Sequence, residues 1–372
     1  MTEIKNKTRR VGDIDLLRLV FSVVVMLRHT EYLLGDLDIT PFAGGAFAVE
    51  FFFLVSGYLM MAAIDRARRA DSLSQTTLGR ESFEFIKKKF LSFFPEILIS
   101  GFIGLAFISY AKDYSIGKAF TLLTKTVSEF FLVQQYGFVW GHINNVTWYL
   151  SSMLMAMIIL YPLTRKYTET MVHVVLPVVI LFLLGHLYQN VGSLRGPTVE
   201  IGLTFRGNIR AVAEIALGML LYRPAKKLQS FNMTVFGRIC VTVVKWACFV
   251  LCLLYMYPNK WDKMDFVYLL VMAAGILLSF SCQGIDAKFF SHKIFTFFGK
   301  LSLPVYLCHF YYSNHLKYVL PKDMSRKMSL LIYAGAVFAT CLVVMGLAAL
   351  YRKYKAPLWQ GVKRLFVRPD AA

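Results

Sequence analysis

The chain has 372 residues, 57% of them hydrophobic and only 17% charged, against roughly 25% charged in an ordinary soluble domain. Its apolar residues fall in blocks of about 20, the length a helix needs to cross ~30 Å of hydrocarbon, which excludes a soluble globular protein. The formal charge of +19 lies mainly in the short segments between apolar blocks, where orientation and anionic headgroups account for it, so nucleic-acid binding is set aside.

The pattern predicts an all-α integral membrane protein with about ten transmembrane helices around a polar central cavity. The helices fall at 14–34, 42–64, 91–111, 147–164, 171–189, 206–222, 236–257, 265–283, 294–316 and 328–351. The stretch 77–94, which mixes Phe with Lys and Arg, reads as a cytoplasmic interfacial helix. The segment 112–146 is too polar to span and too aromatic to be a linker, and is expected to fold as a lid or platform. Lys and Arg concentrate in the N-terminal tail, in 65–90 and in the C-terminal tail, which predicts both termini in the cytoplasm and an even number of spans. The loop 317–327, with Lys317, Lys322, Arg326 and Lys327, opposes that bias, and a re-entrant ninth segment also fits it. The first apolar block carries Arg18 and Arg28, unlike the h-region of a cleaved signal. Residues 1–372 are expected to form one transmembrane domain, with no fused extracellular hydrolase-like domain.

The six cysteines sit in or beside apolar blocks without metal-site spacing, so they read as small core residues and no metal is expected.

Several charges are out of place in apolar helices. Asp15, Arg18 and His29 occupy the first block. At 100° per residue the eleven-residue step from Arg18 to His29 returns within about 20° of one face, some 16 Å along the axis. Asp15, one turn before Arg18, is placed to pair with it. An arginine at mid-helix costs roughly 2.5–3.5 kcal/mol on insertion scales, which argues for a polar interior. The bland alternative is that Asp15 and Arg18 anchor the helix at the headgroups and His29 packs. Further on, Glu50 precedes Phe51, Phe52 and Phe53, then Ser56, Gly57 and Tyr58. Arg206, Arg210, Glu214 and Gly218 form one polar stripe at four-residue intervals. The segment from Gly299 to His309 contains Ser302, Pro304 and Tyr306, and its Gly and Pro permit a break toward a cavity. Trp148 reads either as a site residue or as a belt tryptophan, and Glu96 as a cap after Pro95. A polar cavity of this kind serves a transporter or an enzyme. An imidazole above an arginine suits general-base chemistry on a charged donor, and no internal repeat of the transporter kind is evident.

Taken in order, these segments resemble the transmembrane acyltransferase family 3, the O-acyltransferases of lipopolysaccharide O-antigens, capsules and Nod factors. The matching pieces are Ile14, Asp15, Arg18 and His29; Gly45 and the run Phe51 to Leu59; Phe85 to Lys89 and Pro95; Trp148, Tyr149 and Leu150 through Tyr161, Pro162 and Leu163; and Gly299 to Ser302 with Val305, Tyr306, Leu307 and His309. The resemblance implies transfer of an acyl group, usually acetyl, from cytoplasmic acyl-CoA to a hydroxyl of a surface or exported polysaccharide or glycolipid. It places the protein in the cell (inner, cytoplasmic) membrane among lipids, with no permanently bound cofactor and acetyl-CoA as co-substrate. Carried onto this chain it makes His29 catalytic and Arg18 its partner, with Asp15 holding Arg18. Glu50, Ser56, Gly57, Trp148, Arg206, Arg210, Glu214, Tyr306 and His309 are assigned to the substrate cavity, and Lys87, Lys88 and Lys89 to the phosphates of acyl-CoA. The chain departs from the family pattern at Met153, where a Glu is frequent, and in having lysines where arginines precede the proline. The rival readings are an exporter of polysaccharide or lipid without catalysis and a non-catalytic partner in envelope assembly.

Overall fold

A computed structural model describes residues 10–34, 41–71, 73, 75–138, 141–258 and 262–366, with 356–366 as backbone alone. The elements in chain order are α1 (Gly12–Arg28), α2 (Glu31–Leu34), α3 (Val49–Arg69), α4 (Leu78–Ala111), α5 (Ile116–Lys125), α6 (Val127–Phe130), α7 (Trp148–Lys166), α8 (Thr168–Thr170), α9 (Leu176–Asn190), α10 (Arg206–Leu220), α11 (Tyr222–Gln229), α12 (Val235–Met256), α13 (Met264–Ser281), α14 (Lys293–His315) and α15 (Arg326–Phe366). A π-helical turn, Met171–Val175, joins α8 to α9. Two residues each of β1 (Glu200–Ile201) and β2 (Thr204–Phe205) pair antiparallel just before α10. The chain is an all-α membrane protein.

Among the described residues, seven segments are long and apolar enough to cross a bilayer, and α1, α10 and α14 are not among them. Those three carry several of the intramembrane charges and, on α14, His309, with His29 capping α1, and their placement follows from that. Groups that lipid will not solvate must face protein or a cavity. Accordingly α1 packs along α14, and α10 along α3 and α7. The α3–α10 contact is backbone to backbone. A Cβ on Gly57 would fall 2.1 Å from the Ile215 carbonyl oxygen, and one on Gly218 would fall 2.1 Å from that of Leu54. Small residues at matched positions let the two helices close.

The first helix is shorter than its apolar pattern. It ends at Arg28, His29 is its C-cap, and Thr30 Oγ1 donates to the Leu27 carbonyl at 2.7 Å. A hydroxyl that satisfies a terminal carbonyl is a local stop signal inside an otherwise continuous run. The stretch assigned to an interfacial helix is joined to the third span, so that α4 runs for 34 residues, about 51 Å at 1.5 Å per residue. Thr77 caps it by accepting from the Arg80 amide at 3.3 Å. Pro95 lies within it, and there Arg352 of α15 donates to both oxygens of Glu96 at 2.6 Å and to the Ser92 carbonyl at 2.9 Å. α14 is likewise continuous through Pro304, 23 residues in all.

The segment 112–146 folds back through α5 and α6. Buried Glu129 organises its end, its carboxylate accepting from His142 Nδ1 at 2.9 Å, the Ile143 amide at 3.1 Å and the Asn144 amide at 2.9 Å. Asn144 Nδ2 then donates to the Leu307 carbonyl of α14 at 2.6 Å, tying this segment to the helix that bears His309.

Candidate active site

Two small cavities lie along α1. One, of about 180 Å³, is lined by Arg18, Lys89, Ser56, Tyr149, Ser302 and Tyr306 among others. The second, of about 260 Å³, contains His29 with Arg28, Trp148, Arg195, Arg210 and Tyr306. Tyr306 lines both, and its hydroxyl donates to the Val146 carbonyl at 2.8 Å. The Arg18 cavity presents two cations. Arg18 Nη1 is 3.8 Å from Asp15 Oδ1, while Asp15 Oδ2 is held more closely by Arg10 Nε at 2.8 Å. Asp15 fits because residue 299 is glycine, since a Cβ there would sit 2.4 Å from Asp15 Oδ1.

The partners of the imidazoles assign their protons. His29 Nδ1 lies 2.9 Å from the Val25 carbonyl, and His309 Nδ1 lies 3.1 Å from the Val305 carbonyl. A carbonyl only accepts, so each Nδ1 carries hydrogen and each neutral ring has a bare Nε2. His309 Nε2 is 3.1 Å from His29 Nδ1. The proton on His29 Nδ1 therefore has two acceptors, and the Nε2 of a neutral His29, a residue that lines its cavity, is the nitrogen open to act as a base. Tyr32 stacks on the His29 ring at 5.7 Å and Phe310 meets its edge at 5.4 Å. Tyr333 of α15 places its hydroxyl 3.2 Å from the Met26 carbonyl and 3.4 Å from that of His309, so three helices meet at this pair.

Behind the His29 cavity, Arg210 Nη2 donates to Glu50 Oε2 at 2.5 Å and Arg210 Nε to Glu214 Oε1 at 3.4 Å, with all three residues buried. The guanidinium lies 5.5 Å from the centre of the Trp148 ring. A buried arginine shared by two carboxylates is locked in place by both.

A family model described as an acyltransferase domain, that of acyltransferase family 3, matches residues 11–349, nearly the whole chain. The chain belongs to this family. No curated protein and no solved structure matches it. It is a membrane acyltransferase.

The acyltransferase distributes the other expected site residues unevenly. The three lysines diverge around α4: Lys89 enters the Arg18 cavity, whereas Lys87 and Lys88 line a separate groove of about 620 Å³ with Arg352 and Lys355. Lys87 also pairs with Glu84 at 3.3 Å. Ser56 lines the Arg18 cavity, 3.5 Å from the Tyr149 hydroxyl and 3.3 Å from Met153 Sδ, and does not line the His29 cavity. Gly57 serves the α3–α10 contact and lines neither cavity. Arg206 opens α10 beside Gly196 and stands outside the His29 cavity, while Glu50 and Glu214 act on it through Arg210. Trp148, Arg210, Tyr306 and His309 gather around His29.

Sequence reasoning missed two buried ion clusters in the acyltransferase. Lys245 Nζ bridges Asp13 Oδ2 at 2.8 Å and Asp286 Oδ2 at 2.8 Å, and Asp286 Oδ2 also accepts from Trp246 Nε1 at 2.7 Å, pinning the start of α1 to α12. Glu81 accepts from Arg165 Nε at 2.8 Å and from the Tyr161 hydroxyl at 3.0 Å, joining α4 to α7. Lys245 inside an apolar block was the available signal.

Proposed function

We propose that the protein is an O-acyltransferase that moves an acyl group, in the first instance acetyl, from cytoplasmic acyl-CoA to a hydroxyl of a cell-surface or exported polysaccharide or glycolipid. The observation that carries this reading is His29, held through Nδ1 by the Val25 carbonyl and His309, in one cavity, with Tyr306 bordering both it and a second cavity that holds Arg18 and Lys89. Phosphates of CoA have their natural partners in Arg18 and Lys89. The thin pantetheine arm passes Tyr306 and brings the thioester to His29. There Nε2 takes the proton of the acceptor hydroxyl as its oxygen adds to the thioester carbonyl. Collapse of the tetrahedral adduct breaks the C–S bond, and the departing thiolate takes the proton back from His29, so atoms and charge balance.

The membrane is the cell's inner membrane in this reading, with the donor side and both termini facing the cytoplasm. The test is structural analysis of envelope glycans from cells with the intact chain and with His29→Ala. Loss of one ester supports the reading. An unchanged ester pattern, with no consumption of labelled acetyl-CoA by purified membranes, ends it.

A further inference from the structure

We infer that the acceptor is an anionic sugar, one bearing a carboxylate or a phosphate; this rests on the acyl transfer proposed above and adds its substrate class. Three arginines line the His29 cavity, Arg28 from the end of α1, Arg195 from the loop after α9 and Arg210 from α10, and among the described residues no Asp or Glu lines it. The carboxylates that pair with Arg28 and Arg210 stand behind or beside the wall. Glu31 meets Arg28 through Nη1, and Glu50 and Glu214 hold Arg210 from within α3 and α10. That arrangement fixes guanidinium donors at the cavity wall. Arg28 Nε is buried and has no hydrogen-bond partner among the described residues. A buried charged donor left unpaired is a costly feature, and a ligand oxygen at that place relieves it.

The chemistry of the step argues the same way. Arg28 adjoins His29 in the chain, and each turnover puts a proton, hence a positive charge, on His29. With a neutral acceptor, the protonated His29 would stand beside the Arg28 guanidinium, whose partner Glu31 is not among the lining residues. An acceptor with its own negative charge offsets them as the proton moves. Thr198 and Asn145, which also line the cavity, offer neutral contacts for the remaining hydroxyls.

The test compares envelope glycans from cells carrying the intact chain, His29→Ala, Arg28→Gln or Arg28→Lys, with protein amounts matched by immunoblot. Mass spectrometry and NMR locate the ester lost in His29→Ala. An ester on a sugar that itself carries a carboxylate or a phosphate, reduced about tenfold in Arg28→Gln and restored in part in Arg28→Lys, supports the inference and says which anion is bound. An ester on an uncharged sugar, or full esterification by Arg28→Gln, overturns the inference and leaves the transferase reading intact. Absence of any ester that depends on His29 overturns both.

Discussion

His309 Nε2 stands 3.1 Å from Nδ1 of His29, 280 positions earlier in the chain. Because each Nδ1 also faces a carbonyl four residues before it, a neutral pair has one consistent arrangement of protons, and that arrangement leaves Nε2 as the bare nitrogen of His29. His309 is in this sense a positioning residue.

It follows that His309→Phe lowers the transfer rate while leaving the KM for acyl-CoA unchanged. The expected loss is roughly five- to tenfold, the worth of one buried hydrogen bond. His309→Gln, whose amide oxygen reaches the same point, recovers most of the rate. Equal losses in both variants would assign His309 to packing alone.

His29→Ala removes the base itself. A fall of roughly 10²- to 10⁴-fold in acyl transfer is expected, with the melting temperature in detergent within a few degrees of the parent, because the side chain borders a cavity. Scintillation counting of labelled acetyl transferred to extracted glycan measures the first, and a thermal-shift assay the second.

The divergence of the lysines around α4 separates two donor models. Arg18→Ala and Lys89→Ala each raise the KM for acetyl-CoA by roughly tenfold, as expected for a lost charge-assisted phosphate contact. Lys87→Ala and Lys88→Ala, facing a different groove, change it by less than about twofold. A larger effect from the latter pair would move the nucleotide to that groove.

Gly57→Ala and Gly218→Ala should each destabilise the fold by about 1–3 kcal/mol, since the added methyl meets a backbone carbonyl of the neighbouring helix and only helix separation relieves it. Thermal unfolding in detergent reads this directly. Gly185, within α9 and with nothing within 4 Å of a Cβ, is the control at which Ala does not lower stability.

Arg210→Gln strands Glu50 and Glu214 in a buried site and is expected to cost about 3–5 kcal/mol, seen as poor accumulation of folded protein. The triple change Arg210→Gln, Glu50→Gln and Glu214→Gln removes the stranded charges and recovers part of the yield. Without such recovery, the ion cluster would not be the source of the loss.

Much of the candidate site's polar lining was legible in the chain because the membrane makes polar residues conspicuous. Asp15, Arg18, His29, Arg210 and His309 stood out against apolar blocks, and all of these except Asp15 border or act on the two cavities. Lys245 stood in an apolar block by the same logic, but its partners Asp13 and Asp286 are far apart in sequence, so nothing local joined them. The merging of 77–94 with the third span was hidden by Pro95. Proline ordinarily ends or kinks a helix, and here the distant Arg352 holds the chain at that point.

Composition and periodicity alone determined that this protein lives in a bilayer and that α1, α10 and α14 carry polar residues at odds with it, because hydrocarbon penalises every unpaired polar group residue by residue. Only the tertiary structure decided that Arg18 and His29 open into separate cavities, that Tyr306 borders both, and that His309 orients His29. Those relations depend on how helices remote in sequence meet, and hydrogen bonds a few ångströms long have no signature in a pattern that repeats along one helix.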